Sequence, residues 1–474
     1  MSNIISKKGI NMQENLVIIG NGMAGMRTLE ELLKIAPNKY NITVFGTEPC
    51  VNYNRIMLSP VLAKAQKFED IIINSQQWYD ENNITLHVSE EIVDIDRSTK
   101  TITSINGISV PYDKLWIATG SSPFIIPIPG KDLNGVVTFR DMQDVNTMLE
   151  AATQYKNAVV IGGGLLGLEA AHGLSLAGMN ITVIHLADTL MERQLDEAAG
   201  YLLKSELESR GMTILTGANT KEIIGKNRVE QVNLADGTQI KADLVVMAVG
   251  IKPNVDLAKK AGIDCQRGIV VNDTMLTSDK DIYAVGECAQ HRGICYGLVA
   301  PLYEAGKIMA QSIAGQDVAY EGSVTSTKLK VSGINLFSGG DFSGGDGTED
   351  VIFRDAVRGV YKRLVMKNNA VIGAVLYGDV ADGAWYFNQI KSGEDISELR
   401  ESIIFGQALA LSDGGALDPL AAVTALPDDA EICGCNGVCK GEIVAAISAN
   451  GLSTLSAVRA TTKASASCGS CTGL

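Results

Sequence analysis

No uncharged apolar run in these 474 residues approaches the length of about 20 that a membrane-spanning helix needs. The N-terminal MSNIISKKGINMQEN lacks the apolar centre of a secretory signal. Positive charge is short as well. With 40 Lys and Arg against 54 Asp and Glu, the formal net charge is −14, a surface that repels nucleic-acid phosphates and argues against nucleic acid as a ligand. It suits a basic protein partner, or simply an acidic enzyme. Missing too is any CxxC or CxxxxC pair among Cys50, Cys265, Cys288 and Cys295, so each of these reads as a buried or incidental thiol. Nine cysteines in all, without an export signal, point to reduced thiols in the cytoplasm and to metal or redox use in place of a disulfide framework.

What is present is glycine, 49 of them, in a chain too long for one ordinary core. With 46% hydrophobic residues this composition suits an α/β protein rich in tight strand-to-helix turns. Asn15–Ile19 is an apolar strand running into Gly20-Asn-Gly22-Met-Ala-Gly25 and a helical stretch over Met26–Ile35. The same grammar returns at Asn157–Ile161, Gly162-Gly-Gly164-Leu-Leu-Gly167 and a helix over Leu168–Ala177. In each copy the first glycine permits the turn and the second lets backbone N–H groups approach a pyrophosphate. The third allows helix and strand to touch, and the helix N-terminus adds positive potential. One such loop is weak evidence; two in the right frame are strong. Three further apolar strands end in glycine, bringing backbone near a ligand at a sheet edge. They are Leu115–Gly120, with Thr119 just before its end, Leu244–Gly250, and Asp281–Gly286 followed by Glu287.

The C-terminus carries Cys433-Gly-Cys435 and Cys468-Gly-Ser-Cys471. Two close pairs can bring four thiolates to one centre, which is either an iron–sulfur cluster or a structural zinc. Between residue 321 and about 405 the pattern alternates: Gly359–Met366 and Ala370–Tyr377 are strands, and Lys367-Asn-Asn369 between them is a hairpin signal. Gly339–Gly347 reads as a flexible loop, because no strand–loop–helix frame surrounds it.

The order of the two glycine loops and three glycine-ended strands resembles the pyridine nucleotide–disulfide oxidoreductase superfamily. The resemblance implies an α/β fold with two Rossmann-like dinucleotide-binding domains, a small α/β interface domain and a small helical 2Fe–2S domain. The implied boundaries are an FAD domain in two segments, 14–120 and 251–320, an NAD(P)H domain at 121–250 and an interface domain at 321–405. A linker at 406–430 and the cluster domain at 431–474 follow. The implied cofactor-binding residues are Gly20, Gly22, Gly25, Thr119, Gly120, Gly162, Gly164, Gly167, Gly250 and Gly286. Glu287 stands where the family usually has Asp. Gly46 stands where an acid would grip the FAD ribose, which leaves Glu48 as the nearest carboxylate; Arg55 is implied near the flavin. Glu169 fits the family's position at the nicotinamide end. His185 ends the strand where an acid would favour NADH, and Arg193 is placed to meet a 2′-phosphate; NADH is favoured from the resemblance. Lacking a dithiol pair, the chain is not expected to reduce disulfides.

The tail Cys433-Gly-Cys435-Asn-Gly-Val-Cys439-Lys-Gly, a helix over Glu442–Ala449, and Thr461–Cys471 resemble a bacterioferritin-associated-ferredoxin-type 2Fe–2S domain. That resemblance makes Cys433, Cys435, Cys468 and Cys471 the ligands and leaves Cys439 spare. The whole is similar to the N-terminal half of NAD(P)H-dependent nitrite reductase large subunits. The phrases Val51–Ser59, Thr189–Asp196, Val285–Gly293 and Ala466–Gly473 carry this likeness. The chain stops three residues after Cys471, ahead of the helix that this likeness would place next, so it reads as a longer protein cut short. The implied activity is hydride transfer from NAD(P)H to FAD, then single electrons through the 2Fe–2S cluster to a separate sirohaem/4Fe–4S nitrite reductase module or subunit. No catalytic side chain is required, because the cofactors carry the chemistry. A small Rieske-like subunit and a homodimer are further options for assembly; nucleic acid and membrane are not expected as partners. The alternatives are a rubredoxin or ferredoxin reductase serving another acceptor, and a non-enzymatic redox sensor.

Overall fold

The computed structural model describes residues 13–331, 333–410, 423–424, 426–433, 436–466 and 471–472. The chain divides into two compact units. The first comprises residues up to Tyr53 together with Ile72–Ser121 and Pro253–Gly322; the second comprises Asn54–Ile71, Ser122–Lys252 and the remainder from Ser323.

The first unit is built on a five-stranded parallel sheet in the order Ile282–Ala284, Lys114–Ile117, Glu14–Ile19, Tyr40–Phe45, Ile84–His87. Leu16, Val17 and Ile18 on its central strand are at most 1% exposed. Helix-covered parallel sheets bury both faces, which is why this strand reads as an unbroken apolar run. The helix Met23–Ile35 packs against Val299–Ala314, and the approach is close: a Cβ on Gly306 would lie 2.3 Å from Thr28 Oγ1. A three-stranded antiparallel meander, Ile92–Asp96, Thr101–Ser104 and Ser109–Pro111, completes the unit's sheets of this size.

The second unit repeats the plan. Its parallel sheet runs Thr213–Leu215, Asn180–Ile184, Asn157–Ile161, Leu244–Met247, Val136–Val137, and its meander is Thr220–Ile224, Gln231–Leu234, Gln239–Lys241. Asn54–Ile71 belongs here by packing, although it lies between first-unit segments in the chain. Leu62 sits against Gly173 of the helix Leu165–Leu176, where a Cβ would be 2.7 Å from Leu62 Cγ.

The same unit carries a five-stranded antiparallel sheet ordered Ser326–Val331, Ile334–Gly340, Ala370–Tyr377, Val360–Lys367, Glu349–Asp355, backed by the helix Gly383–Ser392. Asn368 and Asn369 both take positive φ, at 51° and 58°, as a two-residue type I′ hairpin turn requires. Gly339 and Gly340, expected in a loop, close the strand Ile334–Gly340. A Cβ on Gly340 would lie 2.1 Å from the Ile372 carbonyl, so the residue is chosen for close strand contact. Nearest the C-terminus, the hairpin Glu431–Cys433/Val438–Cys439 precedes the helices Lys440–Asn450 and Leu455–Thr462, bent 110° to each other. Among the described residues no single helix is long and apolar enough to cross a membrane.

Candidate functional site

In the first unit Gly20 has φ +114°, and a Cβ there would lie 2.1 Å from the Ala118 carbonyl. No other residue fits that turn without moving the neighbouring strand. A Cβ on Gly25 would meet that of Ala118 at 2.9 Å, whereas one on Gly22 meets nothing within 4 Å. Gly22 is the N-cap of the helix Met23–Ile35 and offers no side chain to its first N–H groups. A hemmed turn, an open second glycine and a helix start without a side-chain cap leave backbone N–H groups accessible to an anionic group. The loop's remaining residue, Asn21, is fixed by the Tyr79 hydroxyl, which donates to Asn21 Oδ1 at 2.6 Å.

Thr119 and Gly120 are strapped to Asn254: Thr119 Oγ1 donates to the Asn254 carbonyl (2.9 Å), Asn254 Nδ2 returns a bond to the Thr119 carbonyl (2.8 Å), and Asn254 N–H reaches the Gly120 carbonyl (2.9 Å). Gly286 sits at φ +92°, and Glu287 Oε2 accepts from Ser121 Oγ at 2.7 Å. Glu48 lies on the loop after Tyr40–Phe45 and accepts from the Tyr53 hydroxyl at 2.6 Å. Gly46 lets that loop approach Asn21, with a Cβ position 2.9 Å from Asn21 Cβ. The packing value of Gly46 could have been suspected from its place after an apolar strand.

In the second unit the loop geometry recurs. Gly162 has φ +119° and a Cβ position 2.1 Å from the Ala248 carbonyl. That of Gly167 would fall 1.9 Å from the Gly162 carbonyl, and that of Gly164 is open. Gly164 caps the helix Leu165–Leu176, again without a side-chain bond. Glu169 on that helix accepts from Ser59 Oγ at 2.5 Å, and Gly250 stands at φ +116° with nothing within 4 Å of its Cβ position. Arg55 is partly buried in this same unit, where Nη1 donates to the Arg140 carbonyl at 3.2 Å. His185 has turned inward to the glycine loop: the Gly163 N–H donates to His185 Nδ1 at 3.0 Å. No local sequence pattern announces that contact.

At the C-terminus, Cys433 and Cys471 share one buried cluster with Val438 and Ala464, at 1% and 7% exposure. Cys433 Sγ accepts from the Ser465 N–H (3.4 Å) and from Asn436 Nδ2 (3.7 Å), as suits a thiolate ligand whose charge needs donors. Arg459 Nη2 donates to Ser465 Oγ and Thr472 Oγ1, bracing the stretch that carries Cys471 at both of these positions. Cys435 and Cys468 lie outside the described residues. Cys439 is the N-cap of Lys440–Asn450 and donates its N–H to Glu442 Oε2 at 3.0 Å, a place in the backbone distinct from the buried pair.

Three families match successive stretches: pyridine nucleotide-disulphide oxidoreductase over residues 14–315, rubredoxin NAD+ reductase C-terminal domain over 326–394, and BFD-like [2Fe-2S] binding domain over 431–473. The chain is 51% identical to a nitrite reductase [NAD(P)H] of Bacillus subtilis (strain 168) over 97% of its own length and 56% of that protein's. To the assimilatory nitrate reductase electron transfer subunit of the same organism it is 43% identical, over 97% and 58%. It thus spans a little over half the length of these curated relatives. The crystal structure of NADH:rubredoxin oxidoreductase from Clostridium acetobutylicum superposes with a TM-score of 0.70 at 30% identity, covering 83% of this chain and 99% of that one. The match over residues 14–315, most of the chain, makes it a member of the pyridine nucleotide–disulphide oxidoreductase family, an FAD- and NAD(P)H-dependent flavoprotein enzyme with a 2Fe–2S domain at its C-terminus.

Proposed function

We propose that this chain is the NADH-oxidising arm of a nitrite-reducing system, handing electrons to a sirohaem/4Fe–4S module that lies outside these 474 residues. The observation that carries the reading is the 51% identity, sustained over 97% of the chain, to a nitrite reductase [NAD(P)H]. When bound, the flavin supplies two-electron acceptance from a nicotinamide and the cluster supplies one-electron delivery. The chain's own residues hold and orient these groups. Gly20, Gly22 and Gly25 would cradle the flavin's pyrophosphate, and Thr119, Gly120, Gly286 and Glu287 would line its path. Gly162, Gly164 and Gly167 would take the nicotinamide dinucleotide, with Glu169 toward the reacting end. Cys433, Cys435, Cys468 and Cys471 would ligate the cluster. The paucity of cysteine pairs elsewhere leaves the C-terminal centre as the electron exit, and reduced cysteines agree with a cytoplasmic setting.

A second reading has its own support: the 43% identity to an assimilatory nitrate reductase electron transfer subunit, also over 97% of the chain, names a different acceptor. The two separate in one assay. The purified chain is mixed anaerobically with NADH and either a sirohaem nitrite reductase module or a nitrate reductase catalytic subunit. Nitrite-dependent NADH oxidation with ammonium formed at one per three NADH supports the first; turnover only with nitrate and its reductase replaces it with the second.

A further inference from the structure

The second strand of the nicotinamide unit ends without a carboxylate, yet the structure supplies one from elsewhere. His185, 8% exposed, uses Nδ1 to accept the Gly163 N–H at 3.0 Å. Its ring hydrogen therefore sits on Nε2, shared between the Thr189 carbonyl and Glu192 Oε2, each at 3.1 Å. The imidazole is thus committed on both sides and cannot itself receive a ribose. Glu192, by contrast, keeps 44% of its side chain exposed while one oxygen is pinned beside the strand end.

The segment that brings Glu192 there is held against its own conformational preference. Met191, fully buried, takes φ +54°, a left-handed conformation that a non-glycine residue rarely adopts. It is over-determined: the Met191 N–H bonds to the Gly163 carbonyl at 3.0 Å, and its own carbonyl accepts from the Gln194 and Leu195 N–H groups. At the far end Asp196 caps the helix Glu197–Ser209 through Ala199 N–H, while its other oxygen accepts from the Tyr361 hydroxyl at 2.6 Å and from Arg363 Nη1 at 3.2 Å. Both ends of a strained eight-residue turn are therefore anchored, and the residue it presents between them is a carboxylate. Carboxylates at this edge of a dinucleotide fold accept the adenosine ribose hydroxyls and repel a 2′-phosphate.

We infer that Glu192, positioned by His185, is the residue that selects NADH over NADPH in this chain. The inference rests on the second glycine loop being the nicotinamide site. The neighbouring Arg193 is exposed and would favour the opposite choice by pairing with a 2′-phosphate. Glu192 prevails because its oxygen is fixed by a ring that is itself fixed, whereas an arginine on the surface must be ordered by the ligand it captures.

The test is calorimetric titration of the full flavin-loaded chain with ADP-ribose and with 2′-phospho-ADP-ribose, which needs no turnover. Wild type should bind ADP-ribose at least about tenfold more tightly, the scale of one charged hydrogen bond gained and one repulsion avoided. Glu192→Gln should shrink that ratio by about tenfold, and Glu192→Asp should keep part of it. Unchanged flavin content and melting temperature in both variants establish that the fold is intact. A ratio that stays within twofold of wild type in Glu192→Gln, or that moves only with Arg193→Ala, overturns the assignment. If wild type binds neither probe, the nicotinamide reading of the loop falls, and the inference falls with it.

Discussion

The two nucleotide units solve the same turn in the same way and then diverge at one position. Gly20 and Gly162 share φ near +115° and a Cβ position 2.1 Å from a strand carbonyl, and Gly22 and Gly164 both face open space. At the end of the neighbouring strand, however, the first unit has Gly46 and the second has His185. Gly46 lets a loop backbone close onto Asn21, leaving Glu48 to the Tyr53 hydroxyl. His185 sends a ring back to the loop and hands its outer nitrogen to Glu192. The turn is dictated by pyrophosphate and backbone geometry, common to both nucleotides. The strand end of a dinucleotide fold meets the adenosine ribose, which FAD and NADH also share, so Gly46 with Glu48 and His185 with Glu192 are two different arrangements at one kind of contact.

The sharpest way to break this parallel is to block each turn separately. Gly20→Ala forces a Cβ into the Ala118 carbonyl at an unfavourable φ, at a cost on the order of 3 kcal/mol, and should yield protein that loses its flavin on desalting. Gly162→Ala meets the same obstruction at Ala248 but should retain the 450-nm flavin band, while bleaching by NADH slows by about a hundredfold. If both variants lose flavin alike, the assignment of one loop to each nucleotide is wrong. A milder cut is Gly46→Ala, whose methyl presses on Asn21. Flavin affinity should weaken by about tenfold, roughly 1.4 kcal/mol, in a fluorescence titration of apoprotein, with ADP-ribose binding untouched.

Smaller effects test what braces each unit. Tyr361→Phe removes the hydroxyl from Asp196 and should cost the second unit about 1 kcal/mol in urea unfolding, without altering flavin content. In the first unit Asp273 accepts from Arg292 and His291, and the Arg292 bond is the main reason its carboxyl titrates at about 2. A carboxyl depressed below its unfolded value of 3.8 contributes stability above that pH and loses it as pH falls toward 2. Asp273→Asn should therefore lower the urea midpoint at pH 6, and the gap to wild type should narrow as pH drops from about 4 toward 2. A gap independent of pH would refute the ion-pair account.

Much of this was legible in the chain, for physical reasons. A buried parallel strand must be an apolar run, and a turn with positive φ beside a strand carbonyl must be glycine, so both loops announce themselves. The pair Asn368-Asn369 is as plain, because few residues but asparagine and glycine tolerate two consecutive positive φ values. What stayed hidden depends on contacts distant in sequence. Nothing local in Asn54–Ile71 says that Leu62 will lie on Gly173, and nothing in Thr189–Asp196 says that Met191 will accept strain so that Glu192 can face outward. The cysteine centre is intermediate. Spacing proposes it, and burial of Cys433 with Cys471 under donors from Ser465 and Asn436 gives it a chemical environment, which spacing cannot.

On the proposed function, one chain carries electrons from NADH through a flavin to a four-cysteine cluster. Anaerobic titration of the reconstituted chain with NADH, followed by visible absorbance and low-temperature EPR, tests it most directly. The expected result is loss of the flavin band together with a rhombic signal of a reduced 2Fe–2S cluster, and Cys433→Ser should abolish the signal but not the bleaching. A bleached flavin beside an EPR-silent tail loaded with zinc would contradict it and leave the flavin itself as the point of electron exit.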